Sequence, residues 1–351
     1  MTRVFVSPDY TRINPYQQLL TKALRERGVE VEHVDDHGPL MPLQAVRARG
    51  TPDVVHLHWP HPFLLGRNVG STLVKSLLFF AQLLVLKRLG VRLVWTAHNL
   101  TEHDARRPRL ERALKHVLVR CVDAVLVHCE AAADRVIEAY HLPERYRDRL
   151  RTVPHGHYCD IYQDDVSREE ARDELGLGEE FTFLFFGRIC AYKNVTGLVE
   201  TFARLDAPET RLLVVGNPRS EAVRARVERA AARDDRVETT LEFVPGERVQ
   251  YYMNAADVVA LPFREVLTSG STILAMSFGK PVVVPEVGCV ASVVPGDGGF
   301  TYRDDAPDAL RSTLRATMDA DLDAAGAANR AAVEAVGWDG VARLTADAYD
   351  A

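Results

Sequence analysis

Two basic residues follow an apolar run in the second half of the chain, and their spacing suits a phosphate group. Residues 185–194 read FFGRICAYKN, so Gly187 leaves the run and Arg188 and Lys193 lie on the following loop. Arg presents a planar fork of N–H donors and Lys a point charge, and both bind phosphate oxygens. Two loop cations can also be simply solvated, but the strand–Gly–Arg context favours a diphosphate site.

A polar turn further along the chain could complete that site. It precedes a short predicted helix that ends at Gly279, and Glu265 lies just before it. The start of a helix offers exposed backbone N–H groups that bind anions, although a plain helix cap is the alternative. The candidate residues of the turn are Thr268, Ser269, Gly270, Ser271 and Thr272.

Polar residues also follow predicted strands in the first half. His98 ends one strand, where it could hydrogen bond a sugar hydroxyl, and Asp9 and Asp104 lie on loops as candidate bases. The spacing of these groups matches no strong metal motif, so we expect no metal. Candidate residues for binding an acceptor, a ligand distinct from the diphosphate compound, are Tyr10, Asn14, Tyr16, His58 and Asn99.

The elements that must position these residues alternate along the whole chain. Short β-branched runs, residues 242–244 among them, are separated by amphipathic helical segments, and the pattern restarts after about residue 160. This predicts an α/β protein with two doubly wound, Rossmann-like domains facing a central cleft. The expected boundaries are 1–160, 161–335 and a helical tail, 336–351, that returns to the first domain.

Composition excludes several classes of protein. The chain has 351 residues, of which 47% are hydrophobic and 26% charged, so disorder and coiled coil are excluded. Its net charge of −6 is too acidic for a general nucleic-acid binder, although residues 1–150 carry a positive balance. No G-x-G-x-x-G occurs, which disfavours a dinucleotide-dependent oxidoreductase.

Two further patterns concern location. The first residues, MTRVFVSPDY, contain no signal-peptide apolar region, so we expect a cytoplasmic protein. Residues 71–88 are apolar almost all round, and a basic cluster follows soon after. This segment is expected to be either a buried helix or a helix whose exposed face docks on an anionic membrane. The basic residues are Arg106, Arg107, Arg109, Arg112 and Lys115.

Four segments together resemble the GT-B glycosyltransferases, close to family 4. They are TAHNL at 96–100, VPHG at 153–156, FFGRICAYKN at 185–194 and SGSTILAMSFGKPVVVP at 269–285. The resemblance implies that the first domain binds a glycan, glycolipid or lipid-linked acceptor. It also implies that the second domain binds a UDP- or GDP-linked sugar, without a cofactor.

The resemblance assigns roles residue by residue. Arg188 and Lys193, next to Gly187, match the residues that hold the donor diphosphate, and His98 matches the residue that touches the donor sugar. The nucleoside is expected over the loops that contain Gly216, Asn217, Phe243 and Val244.

One departure from the family pattern affects the expected reaction. Leu274 and Val266 stand where family 4 carries its E-x7-E pair, with Glu265 one place away from the first. The retaining stereochemistry associated with that pair is therefore open. A nucleotide-sugar epimerase and a non-catalytic nucleotide-sugar-binding subunit are the alternatives to a transferase.

Overall fold

The computed structural model describes residues 1–12, 14–34, 41–101, 107–303, 305–306 and 308–350. The chain forms two compact units. The first comprises Met1–Gly156 and Val336–Ala351, and the second comprises His157–Ala335. Each unit contains one parallel six-stranded sheet with alternating helices, so the two predicted Rossmann-like domains are confirmed.

The sheet of the first unit has the strand order β2-β1-β3-β4-β5-β6. Its strands are β1 (Arg3–Ser7), β2 (Glu30–His33), β3 (Val54–Leu57), β4 (Arg92–Thr96), β5 (Ala124–Val127) and β6 (Leu150–Thr152). Its helices up to residue 156 are α1 (Pro15–Glu26), α2 (Met41–Arg49), α3 (His61–Leu64), α4 (Val69–Arg88), α5 (Pro108–Cys121) and α6 (Glu130–Ala139). The chain passes from β1 to β2 on one side and then from β2 to β3 on the other side of β1, so the switch point lies between β1 and β3.

The sheet of the second unit has the order β12-β11-β10-β7-β8-β9, with its switch point between β7 and β10. Its strands are β7 (Phe181–Phe186), β8 (Thr210–Val215), β9 (Val237–Thr240), β10 (Val258–Ala260), β11 (Val282–Pro285) and β12 (Gly299–Tyr302). Its helices are α7 (Arg168–Leu175), α8 (Val195–Phe202), α9 (Glu221–Ala231), α10 (Val249–Ala255), α11 (Gly270–Ser277), α12 (Val290–Val293), α13 (Ala309–Thr317) and α14 (Leu322–Glu334).

The last helix, α15 (Trp338–Asp350), belongs to the first unit, where it packs on α1. The Tyr349 hydroxyl lies 2.8 Å from His56 Nδ1 at one end of the helix. The Trp338 ring lies so close to Gly156 that a Cβ there would come within 2.5 Å of it. This helix therefore contributes side chains to the core of the first unit.

The predicted strand at residues 242–244 is wrong. The edge strand of the second sheet is β9, Val237–Thr240, and Phe243 lies beyond it with 74% of its surface exposed. An edge strand is only half buried, so its sequence VETT lacks the continuous apolar run that marks the inner strands. The more apolar residues that follow were mistaken for the strand.

Candidate functional site

Two glycines that follow the neighbouring strands β7 and β8 let two loops of the second unit pack against each other. Gly187 has φ +126° and Gly216 has φ +142°, which are left-handed conformations that favour glycine. A Cβ on Gly216 would lie 1.9 Å from the Gly187 carbonyl oxygen. A Cβ on Gly187 would lie 2.7 Å from Ser271 Oγ and 3.1 Å from Lys193 Nζ. Gly187 therefore lies directly against Ser271 and Lys193, two of the predicted phosphate-binding residues.

Lys193 is a buried cation. Its Nζ donates a hydrogen bond to Ser271 Oγ at 3.0 Å and lies 5.8 Å from the centroids of the Phe185 and Phe263 rings. Among the described residues, no carboxylate pairs with it. Burial, aided by the nearby Arg188, lowers the pKa of Lys193 to about 8. A desolvated ammonium of this kind is suited to an anionic ligand, because the ligand would replace the hydration that burial removes.

Helix α11 begins beside Lys193. The Ser269 side chain caps it by accepting a hydrogen bond from the Thr272 N–H at 3.2 Å. Thr272 Oγ1 is buried without a hydrogen-bond partner in the part of the chain that the structure describes. A Cβ on Gly270 would lie 3.2 Å from the Tyr158 hydroxyl, so that helix start is closely packed. The structure thus brings Gly187, Lys193 and the 269–272 turn together.

The remaining candidates of the second unit differ in how far they are exposed. Thr268 is partly buried immediately before the α11 cap, whereas Arg188 and Glu265 are exposed. Among the described residues, Arg188 makes no hydrogen bond or ion pair. Of the nucleoside candidates, Gly216 is buried and Val244 is partly buried, whereas Asn217 and Phe243 are exposed. Leu274, at the position of the second family glutamate, is buried on α11 and offers no polar atom to a ribose.

The first unit gathers five buried histidines, four of them beyond strand ends. Their exposed fractions lie between 0% and 8%, and they are His56, His58, His98, His128 and His155. Three of them form a chain of hydrogen bonds across β3, β4 and β5. His58 Nδ1 lies 3.0 Å from His98 Nε2, and His98 Nδ1 lies 3.4 Å from His128 Nε2.

The chain of histidines ends at a backbone carbonyl. His128 Nδ1 lies 2.9 Å from the Val153 oxygen. Burial lowers the pKa of His128 to about 4 and holds the pKa values of His58 and His98 well below the ordinary value. The three rings are therefore neutral near pH 7. Both ring nitrogens of His98, the predicted contact of the donor sugar, are occupied by its histidine neighbours.

Asp9 lies near a histidine that the sequence did not single out. Its Oδ1 accepts hydrogen bonds from the Thr11 N–H and hydroxyl at 2.9 and 2.7 Å and lies 3.7 Å from His33 Nδ1. Burial raises the pKa of Asp9, but the Thr11 hydrogen bonds and the His33 charge outweigh it, so the pKa is lowered overall. Asp104, the other candidate base, lies outside the described residues.

Four of the other first-unit candidates have local structural partners. Asn14 Oδ1 caps α1 by accepting from the Tyr16 N–H at 3.0 Å, and the Tyr16 ring is buried against His98. The Asn99 carbonyl accepts a hydrogen bond from Lys115 at 3.3 Å. Tyr10 packs its ring 5.3 Å from that of Trp59. The sequence analysis did not select His33 or His128. Both lie at strand ends, the same signal that led to the selection of His58 and His98.

Helix α4 exposes an apolar face. By length and composition α4 could cross a membrane, and one third (33%) of its most apolar window is buried in the first unit. Its exposed apolar residues recur at helical spacing, which places them on one side of the helix. They are Val69, Leu73, Val74, Leu77, Leu78, Leu84 and Val85.

Comparisons with known proteins identify relatives across both units. The family model described as Glycosyltransferase Family 4 matches residues 35–160, and the one described as Glycosyl transferases group 1 matches residues 180–319. Sucrose-phosphate synthase from Thermosynechococcus elongatus has a similar solved structure, with a TM-score of 0.78 and 18% identity. The match covers 100% of this chain and 98% of that chain, and at this identity it concerns the fold alone.

Two curated relatives are similar in sequence. GDP-mannose:glycolipid 4-beta-D-mannosyltransferase of Xanthomonas campestris pv. campestris is 32% identical over 233 residues. The match covers 66% of this chain and 61% of the relative's length. D-inositol 3-phosphate glycosyltransferase of Xylanimonas cellulosilytica is 28% identical over 326 residues, which cover 87% of this chain and 73% of the relative.

Proposed function

We propose that the chain, which glycosyltransferase family models match in both units, is a GT-B glycosyltransferase of the family-4 type. It transfers a hexose-type sugar from a nucleotide-diphosphate sugar to an acceptor hydroxyl. The acceptor is a glycan, a glycolipid or a lipid-linked sugar. The observation that carries the proposal is the buried Lys193 ammonium, which donates a hydrogen bond to Ser271 in the first turn of α11 and lies next to Gly187. The transfer proceeds without a metal ion.

The proposed chemistry follows from the leaving group. Breaking the bond between the anomeric carbon and the diphosphate leaves negative charge on the diphosphate oxygens. Lys193, Arg188 and the N–H groups at the start of α11 stabilise that charge, and one well-placed donor of this kind contributes about 3–4 kcal/mol. The exposed Arg188 can reach the ligand without breaking an existing contact in the described part of the chain.

The proton of the acceptor hydroxyl has two possible destinations. In a retaining reaction a phosphate oxygen of the leaving group can take it. In an inverting reaction a side chain of the first unit must take it, and Asp9 and Asp104 are the candidates. Leu274 removes the carboxylate on which the retaining family pattern depends, so the anomeric configuration of the product is the measurement that decides between the routes.

The relatives suggest which substrates to test first. One of them is named for GDP-mannose and a glycolipid, so GDP-mannose with a glycolipid extract is the first pair, followed by UDP-linked hexoses. Transfer is measured as label moving from the nucleotide sugar into lipid. Product only with acceptor present supports a transferase. Sugar interconversion without acceptor would indicate an epimerase, and donor binding without turnover would indicate a binding subunit.

Variants of the diphosphate site test the assigned roles. Arg188→Ala and Lys193→Ala should each lower turnover by about 10²-fold, because each removes stabilisation of the leaving group. Replacing Gly270 by Val should weaken donor binding by filling the space at the helix start. Arg226→Ala, an exposed arginine on α9, is the matched control and should keep normal turnover. Near-normal activity of both site variants would contradict the assignment.

We further propose that the protein is cytoplasmic and binds the membrane surface through the exposed face of α4. Helix α5 packs on α4 and begins with exposed basic residues, among them Arg109 and Arg112. Basic groups near an anionic bilayer contribute about 1 kcal/mol each, and the apolar side chains of α4 would enter the interface. A lipid-linked acceptor would then be presented at the same surface.

Cosedimentation with anionic liposomes tests the membrane proposal. At low salt the protein should bind phosphatidylglycerol-containing vesicles, and Leu77→Glu should weaken binding by removing an apolar contact. The Arg107→Glu/Arg109→Glu variant should weaken it by reversing charge, whereas Arg226→Glu on the second unit should not. Equal recovery in the supernatant with and without anionic lipid would overturn the proposal and favour a soluble acceptor.

A further inference from the structure

A buried nitrogen without a partner lies at the switch point of the first sheet. His58 directly follows β3, next to the loop that leaves β1, and only 1% of the residue is exposed. Its Nε2 has no hydrogen-bond partner in the described part of the chain. An unpaired buried polar atom is costly, and ligands of open parallel sheets bind at the switch point. The position therefore points to a ligand rather than to a packing defect.

The hydrogen-bond chain determines which proton that nitrogen carries. The Val153 carbonyl can only accept, so His128 Nδ1 must carry a hydrogen, and in a neutral ring Nε2 then has a free lone pair. His98 must donate from Nδ1 to that lone pair, which leaves its own Nε2 as an acceptor. His58 must then donate from Nδ1 to His98, so His58 Nε2 is unprotonated.

An aromatic wall adjoins the same histidines. The Trp59 ring stacks on the His98 ring with centroids 4.3 Å apart and an interplanar angle of 13°. The partly buried Tyr10 lies on Trp59 at 5.3 Å. Aromatic faces beside a polar group suit a sugar, which offers C–H faces and hydroxyl edges. This arrangement, independent of the proton order, favours a polyhydroxylated ligand.

We infer that His58 Nε2 accepts a hydrogen bond from a hydroxyl of the acceptor substrate, and that His98 and His128 are positioning residues that keep this nitrogen unprotonated. The inference rests on the proposed function, because it assigns the ligand of the first unit to the acceptor. A bare acceptor nitrogen excludes anionic groups, which need donors, and selects a hydroxyl that can donate.

Nitrogen NMR of protein labelled with ¹⁵N-histidine tests the proton order without an activity assay. In the wild-type protein the His58, His98 and His128 rings should show protonated Nδ1 and unprotonated Nε2 near pH 7. His128→Asn keeps a donor for the Val153 carbonyl, but its shorter side chain has no atom at the place of Nε2, where His98 finds its acceptor, so the His98 and His58 rings should become tautomer mixtures. Tyr349→Phe, which removes only a partner of His56, should leave them unchanged. A protonated Nε2 on His58 in the wild-type protein would overturn the inference.

Steady-state kinetics with the glycolipid extract tests the contact itself. His58→Phe keeps an aromatic ring but removes the acceptor, so the acceptor KM should rise about tenfold while the dissociation constant of the nucleotide remains unchanged. His128→Asn should shift the acceptor KM in the same direction. An unchanged acceptor KM in a His58→Phe protein that still transfers sugar would overturn the inference and leave the transferase proposal standing. Absence of transfer in the wild-type protein would instead count against the proposed function.

Discussion

The buried histidines predict that the first unit is destabilised by mild acid. Burial lowers the pKa of His56 and His155 to about 3 and that of His128 to about 4, and holds those of His58 and His98 lower than usual. In the unfolded chain a histidine takes up a proton near pH 6.5. As the pH falls below about 6.5, only the unfolded state gains protons, so stability decreases until the folded rings titrate.

The magnitude is large compared with the stability of a domain. At about pH 5.5, one unit below the unfolded pKa, each histidine held neutral lowers the free energy of unfolding by about 1.4 kcal/mol. Five such rings lower it by about 7 kcal/mol, against a typical total of about 5–15 kcal/mol. The first unit should therefore unfold between about pH 6 and pH 5, whereas near pH 7 the effect should be small.

Tryptophan emission reports this transition selectively. The three tryptophans of the sequence, Trp59, Trp95 and Trp338, all belong to the first unit. Urea titrations followed by emission at about half-unit pH steps give its free energy of unfolding. Replacing His128 by Asn should reduce the loss between about pH 7 and pH 5.5 by about 1.4 kcal/mol, because one proton-uptake site disappears.

A matched control separates this effect from general acid sensitivity. His141 is exposed and has φ +49°, a conformation that asparagine tolerates, so His141→Asn should leave the pH dependence unchanged. Stability that stays constant from about pH 7 to pH 5.5 would refute the reasoning. So would an identical slope in the wild-type and His128→Asn proteins.

Two further predictions concern the second unit. Affinity for GDP or UDP should fall as the pH rises through about 8, where Lys193, with its pKa lowered to about 8, loses its charge. Calorimetric titration on both sides of that pH measures this fall, and constant affinity contradicts it. Gly216→Ala should lower the free energy of unfolding by about 2 kcal/mol or more in urea, because its Cβ would lie 1.9 Å from the Gly187 oxygen. Gly176→Asn, where φ is +67° and the space is open, is the control and should change it by less than about 1 kcal/mol.

The strands that position both sites were predictable from the sequence where every residue of the strand is buried. β3 reads VVHL and is buried throughout, so its apolar run stands out, as do those of the other inner strands. The apolar segment at 71–88 predicted α4 but began two residues after its observed start at Val69, because the residues around that start include the polar Asn68, Ser71 and Thr72. Asn68 and Ser71 cap each other there, and such capping extends the helix to Val69.

The residues proposed to bind phosphate were predictable because their spacing is local. Lys193 follows its strand within one loop, and Ser271 follows its cap directly, so the sequence shows both. The histidine chain was not predictable as a unit. Its members lie on three strands separated by 30 to 40 residues, and only the sheet register brings their rings within hydrogen-bond distance. Sequence reasoning could name individual strand-end histidines but could not order their protons.

The two switch points carry opposite kinds of polar group, and the proposed glycosyl transfer accounts for this difference by what it requires of each substrate. A departing diphosphate gains negative charge, and the site proposed in the second unit would stabilise it with the buried Lys193 ammonium and the N–H groups at the start of α11. An acceptor hydroxyl is neutral before the reaction. Its oxygen must face the anomeric carbon of the donor sugar while its hydrogen is donated to another group. A neutral nitrogen of fixed tautomer accepts that hydrogen and holds the hydroxyl in one orientation. A protonated histidine at this position can only donate and would leave the hydroxyl hydrogen without an acceptor, so the proton order along the histidines bears directly on which ligand the first unit binds.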